Sequence, residues 1–316
     1  MAPGSILVSD DVEARRSAAL EAAAQGVPRC VLRAQGPSSD PALVEIAFFS
    51  GDLFPERTRE FVLTLAKSAH LRWLHTFSAG IDHPWFRSLR ARGVRITTSS
   101  GAAAVPIAQT VILYLLALSR DLPAWLDAQR RRAWEPHDVK DLQGLVLGVI
   151  GLGPIGLEVA RLGVALRMRV IGLRRTPRGD EPCETWPLPR LHELLSRADA
   201  VVLALPLADS TRHILNAPAI AALKPGALLV NVGRGELIDQ AALVAALEKG
   251  ALRGAGLDVF EQEPLPPENP LWSLPGVIVT PHASGRTPGN HVRAEVIFLE
   301  NLERFARGGT LLNEAE

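Results

Sequence analysis

The stretch "VTPHASG" (279–285) ends an apolar run on a proline and then presents His282. An apolar run of this kind belongs to a sheet interior, which puts the imidazole at a strand's carboxyl end. There it is either a satisfied surface group or the proton donor of an active site. Two other late segments end apolar runs in the same way: "NVGRGELID" (231–239) offers Arg234, and "GLDVFEQEPLP" (256–266) offers Glu263. A guanidinium, a carboxylate and an imidazole at the carboxyl edge of an open α/β sheet are the side-chain types that hold an anion and move a proton. Each has a structural alternative: Arg234 pairing with a surface carboxylate, Glu263 solvated in a proline-rich loop, His282 satisfied at the surface.

The elements that must position these groups form two alternating series. In the first, "SILVS" (5–9), "RCVLRA" (29–34), "VEIAFFSG" (44–51), "LRWLHTFSAG" (71–80) and "VRITTSS" (94–100) read as strands. The helical patterns at 10–26, 55–69 and 83–93 lie between them. The second begins at "GLVLGVIGLGPIG" (144–156) and continues through "RVIGL" (169–173), "AVVLALP" (200–206), "ALLVNVGRG" (227–235), "LRGAGLDVF" (252–260) and "GVIVTPH" (276–282). The stretch 288–309 reads as a final helix. Strands alternating with helices at this spacing predict parallel sheets covered on both faces, so the expected class is α/β with two doubly wound parallel-sheet domains.

Composition narrows the function classes. A chain of 316 residues has room for two cores, and 47% hydrophobic with 22% charged residues is ordinary for a globular protein. The formal net charge is zero, so no electrostatic pull toward nucleic acid or an anionic membrane is expected. Cys30 and Cys183 stand in no metal-ligand spacing and read as free thiols; with no secretory pattern at the N-terminus, a cytoplasmic protein is expected. The apolar stretch 102–118 is barely long enough to span a bilayer and is interrupted by Pro106 and Gln109, so it reads as a helix buried between domains or subunits.

"VLGVIGLGPIGLEVARL" (146–162) places Gly151-x-Gly153-x-x-Gly156 directly after a strand and at the opening of a helix. In that context Gly151 permits the tight turn, and Gly153 lets the backbone approach a pyrophosphate. Gly156 lets helix pack on strand, and the helix N-terminus, with Pro154 and Ile155, faces the anion. An NAD site places an acid about twenty residues on, to accept from the ribose hydroxyls. Here "RVIGLRRTPRGD" offers Arg174 at or beside that position, with Arg175 and Arg178 nearby. Arginine cannot accept those bonds but matches a 2′-phosphate, so NADP(H) is expected over NAD(H).

In this order, the segments "FSAGID", "GLGPIG", "LPLADSTRHILN", "NVGRGELID", "GLDVFEQEP" and "TPHASG" closely resemble the D-isomer-specific 2-hydroxyacid dehydrogenase family. The resemblance covers nearly the whole chain. It implies a flavodoxin-like substrate domain (1–100 plus 284–316) and a Rossmann dinucleotide-binding domain (101–283), with the catalytic cleft between them. It further implies hydride transfer between a nicotinamide and a 2-keto or 2-hydroxy acid. Arg234 would bind the substrate carboxylate and polarise the ketone, and backbone N–H groups around Ala79, Gly80 and Ile81 would hold the same carboxylate. His282 would exchange the proton, with Glu263 accepting from its other nitrogen and favouring the charged ring.

The same resemblance assigns Asp258 to the nicotinamide carboxamide, although a buried acid at a strand end equally serves as an acceptor for backbone N–H groups. It places Pro206, Thr211 and Val232 along the nucleotide site and implies a homodimer built on the nucleotide domains. The arginine at the ribose position resembles the glyoxylate/hydroxypyruvate reductase branch. The expected reaction is therefore reduction of a small 2-keto acid to the D-2-hydroxy acid. No regulatory domain is expected beyond the final helix. Two departures from the family pattern stand out: the missing ribose acid, and Gln109 where members commonly carry glutamate. Trp85 and Arg286 are candidates for the far side of the pocket and Trp134 for a partner's site, with core packing or a solvated surface as the alternative. A non-catalytic NAD(P)-binding sensor on the same fold is the reading from another class; it needs no proton donor.

Overall fold

Apolar runs separated by short helices bury both faces in a parallel sheet, and the computed structural model of the protein contains two such sheets. The structure describes residues 4–81 and 83–315. The chain divides into two compact units, Met1–Ala103 with Thr287–Glu316, and Ala104–Arg286. In chain order the first contains β1 (Ser5–Ser9), α1 (Asp10–Ala24), β2 (Arg29–Arg33), β3 (Gly36–Pro37), β4 (Val44–Phe49), α2 (Thr58–Ala66), β5 (Trp73–Thr76), α3 (Pro84–Ala91) and β6 (Arg95–Thr98). The second contains α4 (Ala104–Ser119), α5 (Leu122–Arg131), β7 (Val146–Ile150), α6 (Pro154–Ala165), β8 (Arg169–Arg174) and β9 (Glu184–Pro187). It continues with α7 (Leu191–Arg197), β10 (Ala200–Leu203), α8 (Ala217–Ala221), β11 (Ala227–Asn231), α9 (Gln240–Glu248), β12 (Leu252–Leu257) and β13 (Val277–Val279). The last helix, α10 (Pro288–Ala306), belongs to the first unit.

The sheet of the first unit runs β3-β2-β1-β4-β5-β6, parallel except for β3. Every residue of β1 is buried, as a strand covered on both faces requires. Ser9 turns the chain from β1 into α1: its hydroxyl accepts from the Val12 N–H, and Asp10, Asp11 and Glu13 place negative charge at the helix's positive end. α10 packs beside α1, where buried Glu295 is held by Arg15 and Arg16, each at 2.8 Å. The ring of Phe298 stacks on Phe48 of β4 at 4.5 Å between centroids.

The sheet of the second unit runs β13-β12-β11-β10-β7-β8-β9, all parallel. The order reverses between β7 and β10, the kind of switch point outside whose carboxyl ends ligands bind. α4 lies against this sheet. A Cβ on Gly256 of β12 would sit 2.5 Å from the Tyr114 ring, so the glycine is what lets helix and strand approach.

Three features depart from the sequence expectation. β13 is an edge strand whose three residues are only half-buried, not a strand of the sheet interior: among the described residues no strand lies beyond it to extend the sheet. Pro106 does not interrupt the apolar helix but sits in its first turn, where a missing N–H costs nothing. The chain also forms α5, for which the sequence reading placed no helix; Pro123 lies in its first turn and two basic residues in its last.

Among the described residues no single helix is long and apolar enough to cross a membrane; α4 and α5 satisfy that length and composition only as a pair bent by 63°. Nine residues of α4 are buried.

Candidate active site and nucleotide pocket

The turn after β7 has the steric signature of a backbone built for close approach. Gly151 has φ +101, and a Cβ there would lie 2.8 Å from the backbone of Ala204 and Leu205. A Cβ on Gly156 would fall 1.9 Å from the Gly151 carbonyl. Gly153, the N-cap of α6, is different: nothing lies within 4 Å of its missing side chain. The space in front of Gly153 and the helix N-terminus is therefore open to a ligand, which fits an anion such as a pyrophosphate.

That opening belongs to a cavity of about 430 Å³ lined by Gly151, Gly153, Arg174, Arg175, Pro206 and Thr211, among others. Pro206 and Thr211 shape its wall. The Thr211 hydroxyl accepts from the Ala208 N–H at 2.7 Å and donates to the Pro206 carbonyl at 2.9 Å. Val232, just past β11, is buried.

Arg174 ends β8 and pairs with Glu181 at 2.9 Å, the acid being almost wholly enclosed. Glu181 also accepts the N–H groups of Arg178 and Gly179. Those N–H groups, with the Arg174 guanidinium, hold its carboxyl down at about 2. Glu181 thus closes the 174–181 loop and engages Arg174 from within. Arg175 and Arg178 are exposed and line the same cavity.

The three chemical side chains of the late segments follow adjacent parallel strands of one sheet: Arg234 after β11, Glu263 after β12, His282 after β13. The Arg234 and Glu263 loops touch, because a Cβ on Gly235 would overlap the Phe260 backbone at 1.8 Å. Asn231 braces the Arg234 loop, donating to the Arg234 carbonyl at 2.8 Å and accepting the Gly233 N–H at 3.1 Å. The Arg234 guanidinium donates to the Gly233 carbonyl at 2.8 Å. Glu263 accepts the Phe260 N–H with one oxygen at 3.0 Å, and its other oxygen lies 2.8 Å from His282 Nδ1. The imidazole is half-exposed, so a ligand can reach it.

His282 has φ +50, a left-handed conformation uncommon for a residue with a Cβ and here held by a local constraint. Asp258 supplies the constraint. Its carbonyl accepts the His282 N–H at 2.8 Å, and its carboxylate accepts the N–H groups of Ala283 and Ser284 and the hydroxyls of Thr280 and Ser284. The Tyr114 hydroxyl donates to Thr280, and burial pushes that phenol up to about 12. The described hydrogen bonds of the Asp258 carboxylate all go to the 280–284 segment, which is the backbone-acceptor alternative named for this acid above.

In the other unit, Ala79, Gly80 and Ile81 lie in the turn after β5; the "FSAGID" segment ends on Asp82, outside the described residues. Trp85 packs its ring edge against Phe49 and Phe61 in that unit's core, whereas Arg286 and Gln109 are exposed and Trp134 is 94% exposed. Among the described residues there is no cluster fit to hold a metal.

The family model described as D-isomer specific 2-hydroxyacid dehydrogenase, NAD binding domain, matches residues 112–284, more than half of the chain. The chain belongs to the D-isomer-specific 2-hydroxyacid dehydrogenase family. It is similar to the glyoxylate reductase of Aeropyrum pernix, at 35% identity over 254 residues covering 77% of this chain and 76% of that one. It is 34% identical over 250 residues to the D-3-phosphoglycerate dehydrogenase of Methanocaldococcus jannaschii, but spans only 47% of that protein's length. Its fold matches the crystal structure of a D-isomer specific 2-hydroxyacid dehydrogenase from Xanthobacter autotrophicus Py2 in complex with NADPH and MES, with TM-score 0.81 and 31% identity. That match covers 100% of this chain and 98% of the other.

Two site features escaped sequence reasoning. Glu181 gives no periodic signal, since its partners are loop N–H groups defined only by the folded turn. His213 forms a second histidine–carboxylate pair with Glu261 at 2.9 Å, joining loops 48 residues apart, a closeness no local pattern announces.

Proposed function

We propose that the protein is an NADP(H)-preferring reductase that converts a small 2-keto acid, glyoxylate or hydroxypyruvate in kind, to the D-2-hydroxy acid. The carrying observation is the 2.8 Å contact between His282 Nδ1 and Glu263. With Nδ1 engaged, Nε2 is the nitrogen left to meet a ketone oxygen, and the carboxylate stabilises the charged ring that donates. Arg234 binds the substrate carboxylate and polarises the ketone. The N–H groups of Ala79, Gly80 and Ile81 bind the same carboxylate. Asp258 holds the 280–284 backbone, and with it the imidazole, in place.

The cofactor would lie over Gly151, Gly153, Pro154, Ile155 and Gly156, against Pro206, Thr211, Val232 and Asp258. Its 2′-phosphate would face Arg175, with Arg174 braced behind by Glu181. Bound NADPH supplies the hydride that reduces the ketone carbon. His282 gives the ketone oxygen its proton and recovers one from solvent, or takes that proton in the reverse direction. Support for the NADP reading comes from the exposed arginines at the cavity and from the NADPH bound in the related Xanthobacter structure.

The test follows NADPH and NADH consumption against glyoxylate, hydroxypyruvate, pyruvate and bulkier 2-keto acids. The two small polar acids should turn over fastest, with kcat/KM about tenfold or more in favour of NADPH. Faster turnover with NADH would remove the cofactor assignment, and inertness toward every 2-keto acid would remove the reaction. The exposed side chains Leu113, Leu116, Leu122, Trp125 and Leu126 make α4 and α5 the surface we assign to a homodimer. Light scattering should give twice the 34.0 kDa chain mass, and a monodisperse monomer contradicts the assignment.

A further inference from the structure

His75, on β5, is fully buried among aromatic rings: Phe48, Phe298 and Trp73 lie at 5.4, 5.7 and 6.3 Å between centroids. Its Nδ1 lies 2.7 Å from the Thr97 hydroxyl and its Nε2 3.0 Å from the Ser99 hydroxyl, both groups at or beside the end of β6. Two fixed ends set the direction of every proton in this chain of contacts. The Trp73 indole N–H can only donate, and it reaches the Thr97 oxygen at 2.8 Å. The Thr76 carbonyl can only accept, and it takes the Ser99 hydroxyl proton at 2.9 Å. Ser99 has no second proton, so Nε2–H of His75 donates to it, and Nδ1 accepts from Thr97. One neutral tautomer satisfies every group, and burial pushes the imidazole down to about 3.

The chain of contacts ends under the 77–81 turn. The Ser99 N–H reaches the carbonyls of Thr76 and Ser78, at 3.0 and 3.1 Å. The Ser78 hydroxyl donates to the Gly80 carbonyl at 2.8 Å and takes the Thr76 hydroxyl proton at 3.1 Å. Three successive alternate carbonyls are thereby turned inward. Among the described residues the N–H groups of Ala79, Gly80 and Ile81 meet no acceptor. With the Ser78 and Gly80 carbonyls tied back, the N–H groups of the same two peptides, those of Ala79 and Ile81, point the other way and are left to meet an anion.

We propose that His75 is the positioning residue of this turn: through Ser99 its Nε2–H fixes the carbonyls at the head of the turn, keeping the Ala79 and Ile81 N–H groups presented for the substrate carboxylate. The proposal rests on the reading above that this turn binds that carboxylate. His75 itself touches no substrate and transfers no proton.

Two measurements decide it. In the ¹⁵N-histidine-labelled full-length protein, the His75 signals, assigned by their loss in His75→Gln, should show a neutral Nε2–H ring throughout about pH 5 to 8. An Nδ1–H ring, or titration within that window, overturns the relay. In kinetics, His75→Leu leaves Ser99 and Thr97 without their partner, and KM for the 2-keto acid should rise about tenfold while kcat and NADPH affinity stay near wild type. His75→Gln, whose amide can donate to Ser99 and accept from Thr97, should recover most of that loss. A wild-type KM in His75→Leu, a parallel fall of kcat and NADPH affinity, or a Gln variant as impaired as Leu overturns the positioning role. A wild type that reduces no 2-keto acid overturns the underlying reading instead, and the NMR result then stands or falls by itself.

Discussion

His75 and His282 carry the same side chain into opposite surroundings. His75 is sealed among three aromatic rings, with each ring nitrogen matched to a hydroxyl and its pKa driven down by burial. His282 is half-exposed at the end of an edge strand, on backbone held at positive φ, with a carboxylate on one nitrogen. The difference teaches how one residue type divides its work. A fully satisfied, buried imidazole keeps one tautomer and rigidifies what it touches. An accessible imidazole beside an acid can change charge at little cost and exchange a proton with a ligand.

Three substitutions probe the contrast. The largest effect belongs to His282→Asn, which removes the proton donor. The kcat for 2-keto acid reduction should fall by about 10²–10⁴ with NADPH affinity retained, as measured by cofactor titration and steady-state rates. A variant with near-wild-type kcat would make His282 another surface histidine.

A smaller effect, in stability rather than rate, belongs to His75. Its folded value of about 3 lies below the ordinary 6.5, so the unfolded chain takes up the proton first as pH falls. The stability is fully present above about 6.5 and is lost progressively as pH drops toward 3. In denaturant titrations between those limits, wild type should lose up to about 1.4 kcal/mol per pH unit more than His75→Gln. Equal acid slopes for the two proteins would mean that His75 takes its proton without difficulty.

Legibility in the sequence follows the same division. The apolar runs 5–9 and 146–150 announce buried parallel strands, because a period of one residue leaves no solvent face. Gly151, Gly153 and Gly156 could be located because their spacing reflects local steric needs, later visible as carbonyls that a Cβ would strike. The half-buried edge position of β13 was not legible, since strand order at a sheet edge is a property of the whole topology. Nor was the carboxylate network of Asp258, whose partners lie 22 to 26 residues ahead and include backbone N–H groups that have no sequence signature. The relay around His75 was hidden for the same reason: Thr97 and Ser99 reach it only through the pairing of β5 with β6, 22 and 24 residues away. Arg174 shows the limit from the other side, since the residue type at the expected position was readable but its engagement by Glu181 was not.

The central claim is that Glu263 primes His282, and the pH dependence of kcat/KM for keto-acid reduction by wild type and Glu263→Gln, measured side by side, tests it most directly. The Gln variant keeps the size of the side chain but not its charge, so it should lose kcat/KM and give a pH profile displaced from that of wild type. Superimposable profiles would contradict the account and leave the 2.8 Å contact as a structural hydrogen bond.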